Sequence, residues 1–112
     1  MWRSEQHRRE LKDMSEVYLR TSRHGRDTLV AACDFELLGK TLQGGRVPFK
    51  VSEEFYRGIP GSVDEAIEAM RHATICNLVG KKIVGAAIAG RLVHEKAVIY
   101  FGDVPHAQIV KL

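Results

Sequence analysis

The sequence predicts an α+β domain, and three observations carry that reading. Period-two alternation marks strands at Val17–Ser22 and Arg46–Val51. Ser62 and Glu65 form a capping box that opens an amphipathic helix, and Lys81–Ala89 reads as a second, tightly packed helix. Strands and helices come mixed instead of alternating strictly, which fits a small mixed sheet with two to three packed helices.

The elements follow in order. Residues 1–14 alternate charge with no apolar face beyond Trp2 and Leu11, and read as a charged N-terminal arm; residues 15–112 form the single domain. From Glu16, the residues Val17, Leu19 and Thr21 alternate with Tyr18, Arg20 and Ser22 as in a half-buried strand. His24-Gly25-Arg26-Asp27 is a turn, with Gly25 free to take positive φ, and Thr28–Ala32 is the returning strand of a hairpin. Asp34 has the side chain of an N-cap for a short helix from Phe35 to about Leu42, ended by Gly44-Gly45. Pro48 lacks an amide donor, so Arg46–Val51 is predicted at a sheet edge. A helical turn at Ser52–Tyr56 and a loop at Gly58–Gly61 come next. In the helix after Ser62, Val63, Ala66, Ile67 and Met70 share one face. Thr74–Val79 reads as a strand, Gly90 as the stop after Lys81–Ala89, Ala97–Phe101 as an apolar strand, Gly102-Asp103 as a turn, and Ala107–Leu112 as a closing strand.

Composition bounds the function. A chain of 112 residues suits one hydrophobic core. The longest nearly uncharged apolar stretch, Ile83–Gly90, is far short of the roughly 20 residues a membrane helix needs. The charged N-terminus does not read as a secretory signal, and two isolated cysteines point to reduced thiols and a cytoplasmic protein. Residues 1–70 hold 11 Lys and Arg against 12 Asp and Glu, whereas residues 71–112 hold 6 against 2. The formal excess of +3 therefore sits in the C-terminal part, which favours polyanions such as RNA, although scattered cations also serve to solvate a surface.

Candidate site residues fall in several segments. Pro105-His106-Ala107-Gln108 offers an imidazole and an amide, and reads as a proline-stiffened surface loop packed beside the start of the Asp34 helix, so that His106 and Asp34 share a site. Cys33 precedes an apparent helix start, where exposed amides lower a thiol pKa; His106 could act as its base, with Asp34 or Gln108 orienting. The competing account is that Cys33 packs in the core, Asp34 caps and Glu36 is a first-turn acid. Cys33, Asp34, His72, Cys76 and His106 are metal-ligand types without metal spacing, so no metal and no cofactor are predicted. Asn77-Leu78-Val79-Gly80-Lys81-Lys82 places two lysines at a helix N-terminus suited to phosphate contact, though it is not a Walker-type loop. Tyr18 and Tyr100 fall on the polar side of their strands and are the better candidates for stacking on bases, while Phe49 and Phe101 belong to the core.

Four segments in order, Cys-Asp-x-Glu-Leu-Leu-Gly-Lys at 33–40, Val-Ser-Glu-Glu-Phe-Tyr at 51–56, Asn-Leu-Val-Gly at 77–80 and Pro-His-Ala-Gln at 105–108, resemble a small archaeal domain-of-unknown-function family of about a hundred residues. The resemblance covers Glu16 to the C-terminus. It implies an archaeal α+β protein, cytoplasmic and uncharacterised, with an association with translation, and it brings no catalytic residue, cofactor or ligand. Two functions remain open from the residues. One is a module binding RNA or a ribonucleoprotein, with Asp34, Glu36, Asn77, Lys81, Lys82, His106 and Gln108 as binding residues. The other is a hydrolase or transferase using Cys33 and His106, assembled across a homodimer or other homo-oligomer. A protein-interaction adaptor is a third. A membrane partner is not expected.

Overall fold

Val30–Asp34 are buried without a break, and that run decides the architecture. A strand covered on both faces reads as a continuous apolar run and needs a layer above and below. In the computed structural model, which describes residues 15–112, this run lies in β2 (Asp27–Asp34) inside a six-stranded sheet. The expected arm over residues 1–14 lies outside the described residues.

β1 (Val17–His24) and β2 make the expected hairpin, joined through Gly25 at φ +64, as the first central position of a II′ turn requires. β2 runs two residues past its expected end and takes Cys33 and Asp34 into the sheet. The expected helix from Phe35 to Leu42 is not formed. A single 3-10 turn at Phe35–Leu37 carries no side-chain cap from Asp34. The chain then enters a two-stranded ribbon of β3 (Thr41–Leu42) and β4 (Phe49–Lys50), separate from the main sheet. Tertiary pairing overrides helix propensity here: Gly39 donates to the Val51 carbonyl and Val51 donates to the Lys40 carbonyl, each at 2.8 Å. α1 (Glu53–Tyr56) is the expected helical turn, capped by Ser52. It buries Tyr56 and leaves Phe55 partly exposed. The expected loop at Gly58–Gly61 contains β5 (Ile59–Gly61), which pairs with the outer edge of β1.

α2 (Val63–Arg71) has both halves of the Ser62–Glu65 capping box and buries Ala66 and Met70. β6 (Ile75–Val79) then pairs parallel to β2, and α3 (Lys81–Ala89) follows. β7 (Ile99–Phe101), preceded by a 3-10 turn at Glu95–Ala97, forms the far edge, and β8 (Val104–Val110) lies between it and β6. The strand order is β5-β1-β2-β6-β8-β7, with β2 and β6 the parallel pair.

Two apolar clusters flank the sheet. α2 and α3 close one face over Val17, Val30, Ala32, Cys76, Leu78 and Ala107. The segment from Phe35 to Tyr56 covers part of the other, over Tyr18, Ala31, Cys33 and Val79. The domain is thus α+β, with a mixed sheet between two unequal layers. No helix among the described residues is long and apolar enough to cross a membrane.

Candidate functional site

The parallel pair sets the site. Beyond Asp34 the chain leaves β2 toward the covering segment, and beyond Val79 it leaves β6 toward α3 on the opposite face. Neighbouring parallel strands whose connections part to opposite faces leave a crevice outside their carboxyl ends, the usual place for ligands in α/β sheets. A cleft of about 330 Å³ lies there, lined by Asp34, Glu36, Leu37, Lys81, Lys82, Asp103 and Val104. It gathers four of the predicted binding residues: Asp34, Glu36, Lys81 and Lys82.

Asp34 is 2% exposed, the one buried charged side chain among the described residues. Its Oδ2 accepts from the Lys82 amide at 2.9 Å and its Oδ1 from the Ile83 amide at 3.0 Å. Asp34 is a cap, as its chemistry suggests, but of α3 and not of the segment that follows it. Burial pushes its carboxyl above the usual carboxylate range, while the two amides pull the other way. These amides are the anion-binding groups of the helix N-terminus, so an incoming phosphate does not find them vacant. Gly80 makes the approach possible. At φ +124 it turns the chain from β6 into α3, and a Cβ there would overlap the Asp34 carboxylate.

The cations at the cleft act through their side chains. Lys81 Nζ meets Asp103 Oδ2 at 2.9 Å, with both side chains largely exposed. That pairing and its hydrogen bond hold the Asp103 carboxyl below the usual range. Lys82 is exposed beside it. Arg91 stands past the far end of α3 and Lys96 in the 3-10 turn at Glu95–Ala97, so neither belongs to the helix start that carries Lys81 and Lys82.

Pro105–Gln108 is not a surface loop. It forms the start and middle of β8, between β6 and β7, with Pro105 and Ala107 buried. Pro105 precedes the first rung with β6, Val79 opposite His106, so its missing amide costs that ladder nothing. The segment does adjoin Asp34 through Gly80, which donates to the Pro105 carbonyl at 2.9 Å. The side chains diverge, however. Asp34 points to the helix face and His106 to the face under the covering segment, packed edge-on against Phe49 (ring centroids 5.2 Å) and Phe101 (6.2 Å). Asp34 and His106 therefore share no site. Burial holds the His106 imidazole below its usual range. Asn77 and Gln108 stand opposite each other on this same face, away from the cleft.

Cys33 and His106 share a face with Val79 standing between them, since Cys33 pairs with Val79 and Val79 with His106. Cys33 is wholly buried, and burial pushes its thiol up to about 12, with the neighbouring Asp34 charge adding to the shift. A protonated thiol two strands from the imidazole lacks the geometry of a nucleophile and its base. Cys76 lies on the opposite face, where its Sγ reaches the Met70 carbonyl at 3.9 Å, and His72 pairs with Glu68 on the surface. Among the described residues no three His, Cys, Asp or Glu side chains gather as metal ligands. Tyr18 does not face solvent for stacking; it is buried on Phe35, with centroids 4.5 Å apart and rings nearly parallel. Tyr100 is exposed.

Sequence reading missed Asp103, Val104 and Leu37. Asp103 was legible as a turn residue, but its place beside Lys81 depends on β8 starting where its antiparallel neighbour β6 ends. The available signal was the turn directly before the last strand.

Residues 21–112 match the model of a family described as "Protein of unknown function (DUF424)". Among solved structures, the chain is similar to an uncharacterized conserved protein from Methanopyrus kandleri, with a TM-score of 0.72 and 27% identity over 86% of this chain and 93% of that one. Comparison with the curated proteins finds no match.

Proposed function

The chain belongs to the DUF424 family of unknown function, and from that premise we propose that it is a cytoplasmic binding module for RNA or a ribonucleoprotein associated with translation, holding phosphate through Lys81 and Lys82. The observation that carries this reading is the exposed lysine pair at the mouth of the switch-point cleft. Of the three carboxylates lining the cleft, Asp34, Glu36 and Asp103, two are already engaged. Asp34 is committed to the α3 amides and Asp103 to Lys81. An exposed ion pair is worth little, so Lys81 exchanges Asp103 for a phosphate at small cost. The buried, protonated Cys33 supports binding over thiol catalysis. Asn77 and Gln108, on the opposite face, take no phosphate contact in this reading. A homo-oligomer would place several lysine pairs on one polymer and steepen the salt response.

An RNA titration across a salt series, with sedimentation to follow oligomeric state, tests the reading. Affinity is expected to fall with salt, and the Lys81→Ala/Lys82→Ala double variant to flatten that slope by about one unit per lost phosphate contact. Asp103→Asn frees Lys81 and is expected to tighten binding. Salt-insensitive binding, or none at low salt, sinks the reading.

A further inference from the structure

Three hollows run in line along α3. The switch-point cleft shares Lys81 and Asp103 with a groove of about 290 Å³ between α3 and the β7–β8 hairpin, whose walls include Val84, Ile88, Tyr100 and Pro105. Ile88 is shared in turn with a hollow of about 460 Å³ at the other end of the helix, where Arg91 and His94 stand with Glu95. The trough follows the nine residues of the helix, Lys81–Ala89, for about 13 Å, and ends beside Arg91.

Its features alternate in a particular way. Cations lie at both ends, and the wall between them is uncharged. At the Lys81–Lys82 end the carboxylates are Asp34, held by the α3 amides, Asp103, paired with Lys81, and Glu36; at the Arg91 end Glu95 is the carboxylate. Midway, Tyr100 is 58% exposed, which leaves its aromatic ring open to a ligand. On the helix side, Gly85 has no atom within 4 Å of where a Cβ would stand, so nothing in the described chain explains a glycine in mid-helix. At the far end Arg91 holds a left-handed backbone, φ +60, immediately after a glycine that does not. Backbone strain tolerated at an arginine points to a use for its side chain.

We propose that this trough binds a single-stranded RNA segment, with phosphates at the Lys81–Lys82 pair and at Arg91 and a base stacked on Tyr100 beside the open backbone at Gly85. The inference rests on the polyanion reading and adds to it the strand state, the path and the stacking residue. A base flanked by phosphates matches an aromatic, uncharged middle flanked by cations, and stacking asks for an unpaired base whose face is free.

The test compares a short single-stranded RNA with a duplex of the same sequence at low salt, using wild type, Tyr100→Ala, Tyr100→Phe, Gly85→Leu and Arg91→Gly. Wild type is expected to prefer the single strand. Tyr100→Ala and Gly85→Leu should weaken single-strand binding roughly five- to a hundredfold, the range for losing one stacked base, while Tyr100→Phe retains it. Arg91→Gly should raise the melting temperature by relieving the left-handed strain and yet lower affinity, a combination that structural damage does not produce. Melting curves on every variant separate lost binding from lost fold. Salt-dependent binding that is equal for duplex and single strand, and indifferent to Tyr100→Ala and Gly85→Leu, overturns the trough and leaves the lysine reading standing. No salt-dependent binding by wild type overturns both.

Discussion

At the scale of single residues, Asp34 and Gly80 form a lock between the end of one strand and the start of a helix that follows the neighbouring strand. The carboxylate satisfies two amides that would otherwise be orphaned at the buried N-terminus of α3. Asp34→Ala is expected to cost roughly 1–3 kcal/mol, as the loss of a cap compounded by unsatisfied buried donors. Gly80→Ala should cost about 3 kcal/mol or more, because the φ of +124 and the collision with Asp34 both oppose a side chain. Urea titration of each variant reads these values, and a Gly80→Ala protein as stable as wild type would refute the lock. The capping chemistry of Asp34 was legible in the sequence, because an aspartate beside an apolar run is a recognisable cap. Its helix was not legible, since the capped residues lie 48 and 49 positions on and only the parallel pairing of β2 with β6 brings them there.

Elements with strong local signals came through the sequence best. The Ser62–Glu65 box is complete in its own four residues, and α2 begins where it says. Lys81–Ala89 is α3 residue for residue, although the left-handed position that ends it is Arg91 and not Gly90. The Pro105–Gln108 strand was hidden because a proline and polar side chains resemble a loop. Its burial comes from lying between β6 and β7, and the buried Pro105 and Ala107 alternate with His106 and Gln108 in the ordinary strand period. Helix α3 carries a testable excess cost at Gly85. The position is helical and open, so alanine there forfeits nothing in the native state and reduces the entropy of the unfolded chain. Gly85→Ala should stabilise the protein by about 0.5–1 kcal/mol, read as a higher urea midpoint at unchanged slope. A destabilised variant would mean that the space beside Gly85 is already filled.

At the scale of the whole molecule, the α+β class was legible because its strand and helix periods are local, but the order of the strands was not. The switch-point cleft exists only because two strands separated by more than 40 residues run parallel, and no short window of sequence carries that pairing. The covering layer is a further case: Phe49 and Phe101 stack at 4.8 Å across it and enclose the His106 ring. That enclosure makes global stability depend on pH. With its imidazole held below the usual 6.5 by burial, His106 stays neutral in the folded protein where the unfolded chain already binds a proton. Its contribution is therefore fully present above 6.5 and is lost as pH falls from there toward the folded value. Asp34 acts with the opposite sign: its raised carboxyl pKa lowers stability as pH rises from 3.8 through the folded value. The comparison must therefore isolate the histidine. His106→Phe keeps an aromatic ring against Phe49 and Phe101 and removes the titration, so the difference in unfolding free energy between variant and wild type cancels the Asp34 part. That difference should shift in favour of the variant as pH drops below 6.5 and stay level above it. A difference that is flat with pH on both sides of 6.5 would show that the His106 ring titrates as freely in the fold as in the open chain, and that the two phenylalanines do not shield it.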